Sequence, residues 1–196
     1  MRRLSVFNSI SLDGFIADAT GDMSWAHRTD DEWNTFVQEN ASSGESEMLF
    51  GRVTYDLMAS YWPTDAAVRD NPVVANRMND SPKVVFSRTM RRAEWSNTRL
   101  VKEDIVGEVG RMKSASGPDM IIFGSGTVVA QLAGAGLVDL YQIAICPLVL
   151  GSGKAMFTGL KKALHLHNVS TRAFKNGNVY VKYRPASVSS KARTVS

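Results

Sequence analysis

A chain of 196 residues, 44% hydrophobic and 21% charged, suits one globular domain with a sizeable core. It has no run of about 20 apolar residues, which excludes a membrane-spanning helix, and Ser5, Asn8, Ser9, Ser11 and Asp13 break up any signal-like core behind the basic start. The net charge of +4 is matched by Lys182, Arg184, Lys191 and Arg193 in the acid-free end, so the body is neutral and nucleic acid is not an expected partner.

Apolar runs of strand length alternate with helix-like stretches along the chain. Leu4–Ile10 alternates as a first strand, and Asp13-Gly14 opens a loop that runs through Thr20-Gly21-Asp22 to Trp25. Asp30–Asn40 has acids at its start and Trp33, Phe36 and Val37 at helical spacing, which predicts a helix. Glu47–Phe50 reads as a short strand ending at Gly51, and Val53–Tyr61 as a helix stopped before Pro63. Val73–Met78 is expected to be helical and Lys83–Phe86 a buried strand. Glu103–Lys113 has helical spacing, Met120–Phe123 is a buried strand, and Thr127–Ala135 is a helix ended by Gly134 and Gly136. Val138–Val149 reads as a long strand, with Pro147 placing its end at an edge or bulge. Leu164–Phe174 and Val179–Tyr183 flank Asn176-Gly177-Asn178, a strong hairpin signal.

The order predicts one α/β domain over residues 1–185, with a mixed, mainly parallel sheet of about eight strands, helices on both faces and a C-terminal antiparallel hairpin. The free hairpin edge suggests a homodimer. Residues 186–196 read as a flexible, basic, Ser-rich tail.

Three turns that follow strands have phosphate-compatible chemistry. Gly124-Ser125-Gly126-Thr127 leads into a helix, where glycines admit a ligand and free amides meet a phosphate. Gly51-Arg52-Val53-Thr54 adds a cation and a hydroxyl at another helix start. Ser87-Arg88 ends a buried strand in a hydroxyl and a cation. Ligands of open α/β sheets bind outside the carboxyl ends of the strands, where all three turns should lie.

The segments GRVTYD, VVFSRT and IIFGSGTVVAQL, with SLDGFIA before them, resemble the NADPH-binding segments and first loop of the dihydrofolate reductase superfamily. The resemblance covers about residues 3–184. Leu137-Val138-Asp139 and the segment Pro147-Leu148-Val149-Leu150-Gly151-Ser152-Gly153-Lys154-Ala155-Met156-Phe157 are similar to the riboflavin-biosynthesis reductase, the C-terminal half of a bifunctional deaminase-reductase.

That resemblance implies a cytoplasmic, NADPH-dependent reductase of 5-amino-6-(5-phosphoribosylamino)uracil or a related small substrate. The alternatives are reduction of another carbonyl or imine, or nucleotide binding without catalysis. It also implies that Gly51, Arg52 and Thr54 contact cofactor phosphates and that Ser87 and Arg88 meet the adenosine ribose and its 2′-phosphate. Gly124, Ser125, Gly126, Thr127 and Val128 then line the pyrophosphate and nicotinamide floor, and Ser9, Ile16 and Ala17 meet the nicotinamide.

Trp25 is a candidate to close over the site, and Gly151, Ser152, Gly153 and Lys154 are candidates to hold a substrate phosphate. Asp13 or Asp31 is the expected proton source through water, although Asp30 and Glu32 stand beside Asp31. Ser81-Pro82-Lys83 replaces the arginine that holds the folate glutamate in dihydrofolate reductases, so dihydrofolate is not the expected substrate. His27, His165 and His167 form no metal set, and Cys146 reads as a small buried hydrophobe.

Overall fold

The computed structural model describes residues 1–27 and 30–186. The tail expected over 186–196 therefore falls, beyond Ala186, outside the described residues. In chain order the strands are β1 (Leu4–Ser11), β2 (Phe15–Ala17), β3 (Ser46–Gly51), β4 (Lys83–Phe86), β5 (Thr98–Val101), β6 (Asp119–Ile122), β7 (Leu140–Cys146), β8 (Lys154–Ala155), β9 (Leu166–Ala173) and β10 (Val179–Pro185). The helices are α1 (Asp31–Ser42), α2 (Arg52–Tyr61), α3 (Asp65–Asp70), α4 (Pro72–Asp80), α5 (Ile105–Ser114) and α6 (Gly126–Gly134), and Ser24–Ala26 forms a 3-10 turn.

Eight strands form one sheet in the order β5-β4-β3-β6-β1-β7-β10-β9, while β2 and β8 pair separately. Five neighbouring pairs run parallel, and β10 runs antiparallel to both β7 and β9. The chain leaves β1, builds β3, β4 and β5 on one side, inserts β6 beside β1, and then crosses to β7 on the other side. Such a reversal at a central strand opens a crevice at its carboxyl end.

Unbroken apolar strands are used here because both sheet faces are covered. Val84 and Phe86 of β4 join the larger core with Leu4, Val6, Ile122 and the α5 and α6 residues Val109, Val129 and Leu132. Val85 points the other way, to Phe50, Tyr55, Met78 and Trp95 under α2 and α4. Trp33 and Phe36 fasten α1 onto Ala144, Phe174 and Tyr180. Asp30 caps α1 by accepting from Trp33 N at 2.7 Å, and Glu32 ties it to Arg172 of β9 at 3.0 Å.

The end opposite the crevice is held by partly buried ions. Arg2 pairs with Glu47 at 2.6 Å, and Asp139 accepts from Leu4 N at 2.7 Å and from the Lys113 ammonium. The Leu137-Val138-Asp139 motif thus anchors the amino ends of the strands. Lys83, 1% exposed, donates to Asn79 O and Ser81 O at the end of α4 and sits 4.6 Å above the Trp95 ring.

The structure corrects one strand and adds four short elements. The strand expected over Val138–Val149 stops at Cys146 and lies inside the sheet, because Pro147 has no N–H with which to extend a ladder. β2, β8, β5 and α3 were not anticipated, and β2 lies in the segment read as a loop from Asp13 to Trp25. β5 is a short edge strand with exposed Arg99, and α3 buries only Ala67, so neither carries a hydrophobic period.

Candidate active site

The three phosphate-compatible turns lie side by side at the carboxyl edge, on the neighbouring strands β4, β3 and β6. Gly51 is the register partner of Phe86, which places Ser87 just beyond it, and Leu49 is the partner of Ile122, just before Phe123-Gly124. Gly51 N donates to Gly124 O at 3.0 Å, so the starts of α2 and α6 are joined through their glycines. A Cβ on Gly51 would stand 2.5 Å from Ser125 Oγ, and one on Gly124, whose φ is +99°, 3.2 Å from Thr54 Oγ1. A side chain at either position would crowd the other turn, and the positive φ of Gly124 favours glycine there in its own right. The Gly124–Ser125 peptide is cis, and Ser125 and Thr127 share a hydroxyl contact at 3.0 Å.

Helix capping sets α2 and α6 apart from α1, α3 and α5. Asp30, Thr64 and Asp104 cap α1, α3 and α5 with their side chains, whereas α4 starts with a proline and has no side-chain cap. No side chain caps α2 or α6. Their first amides and positive dipole ends therefore face the crevice together, a pairing that suits a pyrophosphate.

The cations differ in availability. Arg52 is exposed and pairs with Asp56 at 3.0 Å. Arg88 is exposed and makes no ion pair among the described residues. Ser87 Oγ accepts from Thr89 N and Met90 N at 3.3 and 3.0 Å, which holds the turn that presents Arg88.

Two expected contacts are placed otherwise. Val128 is 4% exposed in the larger core and lies beneath the turn. Gly126 does not face an open crevice, since its Cβ would meet Ala155 O at 2.9 Å and Met156 O at 3.0 Å. Its small size lets α6 pack on the β8 backbone.

Beyond the turns, Ser9 lies near the end of β1, and Ile16 and Ala17 lie on β2. Asn8 was not anticipated. It breaks the inward series Leu4, Val6, Ile10, is 7% exposed, and has an Oδ1 with no partner. Its Nδ2 lies 3.6 Å from where a Gly124 Cβ would stand, directly beneath the joined turns. A polar residue in an otherwise apolar alternation was the available signal.

The candidate acids separate by their partners. Asp13 accepts from Ser11 Oγ at 2.6 Å, Gly151 N at 2.7 Å and Leu150 N at 3.2 Å. The Ser11 hydroxyl first, and then these amides, hold its carboxyl below the usual carboxylate range, which suits an anion and not a proton source. Asp30 caps α1 and Glu32 binds Arg172 and Lys175 N. Asp31 is exposed, and its carboxylate has no hydrogen bond or ion pair among the described residues.

The remaining candidates serve structure where their contacts are seen. Trp25 Nε1 donates to Asp22 O at 3.1 Å in the 3-10 turn. Gly153 packs on Ala17 O, Lys154 lies over Gly21, and Ser152 is exposed. His165 and His167 are exposed, Cys146 is buried, and among the described residues no group of three His, Cys, Asp or Glu could hold a metal ion.

A parallel sheet reversed at β1, extended by a C-terminal hairpin and edged by two joined helix starts, defines a dihydrofolate-reductase-like α/β domain. Solved structures share it. A putative riboflavin biosynthesis protein from Shewanella sp. PV-4 matches with a TM-score of 0.74 at 23% identity, over 94% of this chain and 99% of that one. Dihydrofolate reductase from Enterococcus faecalis, solved in complex with NADP(H), matches with a TM-score of 0.62 at 15% identity, over 93% and 96%. The chain belongs to the RibD C-terminal domain family, which it matches over residues 2–180. It takes the reductase class from that membership. The uncharacterized protein YyaP of Bacillus subtilis is 29% identical over 93% of this chain and 94% of its own length.

Proposed function

We propose that the chain is a cytoplasmic, NADPH-dependent reductase that reduces the ribosylamino group of 5-amino-6-(5-phosphoribosylamino)uracil or a related small substrate by hydride transfer. The observation that carries this reading is the pair of uncapped, glycine-joined helix starts of α2 and α6. The residues fit the cofactor. The amides of both helices, with the Thr54, Ser125 and Thr127 hydroxyls, would hold the pyrophosphate, and unpaired Arg88 would meet the 2′-phosphate. From β4 to β1 is three strand spacings, about 15 Å, so a dinucleotide laid across β3 and β6 with its adenosine at β4 reaches β1 with its other end.

NADPH supplies the hydride when bound, and the protein supplies orientation and electrostatics. The uncapped amides and hydroxyls bind and orient the phosphates, while the β1–β2 segment walls off the far end. Asp31, with a free carboxylate, is the acid left to pass a proton through water. Dihydrofolate is not the proposed substrate, a reading supported by the Lys83 ammonium, which is engaged by the Asn79 and Ser81 carbonyls.

One observation favours a second reading, reduction of an unphosphorylated carbonyl or imine. The Leu150 and Gly151 amides, which would take a substrate phosphate, are donated to Asp13. NADPH oxidation with the ribosylaminouracil phosphate, beside a panel of small aldehydes and imines, tests both. Turnover of the first supports the riboflavin-type reading, and turnover confined to the panel supports the second. NADPH binding with no turnover would leave a nucleotide-binding protein, and absence of binding would remove the central claim. The proposed homodimer rests on β9, whose eight residues are all exposed and whose outer edge pairs with no strand among the described residues.

A further inference from the structure

The carboxylate of Asp13 joins two segments that are far apart in sequence. Its three donors are Ser11 Oγ on its own side and Leu150 N and Gly151 N across the gap. Further bonds follow the same seam. Leu12 N donates to Leu148 O at 2.7 Å and Met156 N to Gly14 O at 3.3 Å. Ser11 Oγ accepts from Phe15 N at 3.0 Å, and β2 pairs with β8. Gly153 packs on Ala17 O, and the Ala155 and Met156 carbonyls pack against Gly126 at the start of α6.

The β1–β2 segment, the β7–β8 segment and the α6 turn therefore stand in one continuous stack. Asp13 is the charged link in it, and a charge-assisted hydrogen bond is roughly twice as strong as a neutral one. This stack borders β1, the end of the groove remote from Arg88 on the β4 side.

We infer that Asp13 is a positioning residue that locks the β1–β2 and β7–β8 segments into one wall and so sets the nicotinamide end of the cofactor groove. The second half of this statement rests on the function proposed above. The first half does not, and it is a property of the protein without ligand. The adenosine end, built from β3, β4 and α2, shares none of these bonds.

The test compares wild type with Asp13→Asn and Asp13→Ala in amide hydrogen exchange, and in titrations with NADPH and with adenosine 2′,5′-bisphosphate, which occupies only the adenosine end. In Asp13→Ala, exchange at Leu150 and Gly151 is expected to quicken about tenfold or more in the free protein, with Asp13→Asn intermediate because it keeps one acceptor. NADPH affinity should fall about tenfold while the bisphosphate stays within about twofold. Unchanged exchange overturns the clamp. Equal losses for both ligands, or none for either, overturn the role at the nicotinamide end. If wild type binds neither ligand, the proposed function and that role fall together, and the exchange comparison still decides the clamp.

Discussion

Arg88 and Arg52 stand at neighbouring strand ends, yet only Arg88 lacks an ion-pair partner among the described residues. A hydrogen bond to a charged group is worth roughly 1.5–3 kcal/mol, or about ten- to a hundredfold in affinity. Arg88→Ala should weaken NADPH by that factor and leave NADH nearly unchanged, in paired titrations at fixed ionic strength. Equal effects on both cofactors would assign the 2′-phosphate elsewhere. Gly126 makes a different kind of demand, since any Cβ there approaches two backbone carbonyls that cannot swing away. Gly126→Ala is expected to cost about 1–3 kcal/mol by chemical denaturation, a loss of packing that precedes any loss of ligand.

Lys83 adds a pH dependence. Burial lowers its pKa from 10.5 to about 8. Between those values Lys83 is protonated in the unfolded chain and neutral in the folded one, so its contribution to stability should rise as pH rises from about 8 to 10.5. Below about 8 the buried charge weighs on the fold in full. At about 1.4 kcal/mol per pH unit the total gain is on the order of 3 kcal/mol at most. Denaturation from about pH 8 to 9 checks it, below the range where the burial-raised phenols of Tyr141 and Tyr180 act in the opposite sense, and Lys83→Met should remove this part of the slope.

At the scale of elements, α1 shows what local chemistry can specify. Asp30 was legible as a helix start because acids precede an apolar period, and its carboxylate caps Trp33 N. Asp30→Ala should cost about 0.5–2 kcal/mol in denaturation while sparing the adenosine end of the groove. A stability change near zero would mean that the aromatic packing of Trp33 and Phe36 holds α1 without its cap. The glycine turns were equally legible, since each stands between an apolar run and a helical period. Their joining was not, because the contact of Gly51 with Gly124 depends on β6 inserting beside β3. Asp13 shows the same divide. Its residue type suited a proton source as well as a clamp, and only the arrival of Leu150 and Gly151 distinguishes them.

For the whole molecule, β9 leaves one end of the sheet open, with Leu166 and Val169 36% and 47% exposed. Its outer N–H and C=O groups form a template for another strand. Light scattering on a sizing column should find twice the chain mass, and Val169→Lys should shift it toward one. A wild-type monomer at every concentration would remove the dimer. The sequence by itself determined the α/β class, most of the elements, the terminal hairpin and the three phosphate-compatible turns. All of these depend on local periods, turn chemistry or a recognisable order of motifs. Only the tertiary structure decided the strand order, the edge strand β5, the role of Gly126 and the partners of Asp13, Glu32 and Lys83. These depend on which segments meet across long sequence separations, and in such contacts the same residue type serves equally well for a site, a cap or a clamp.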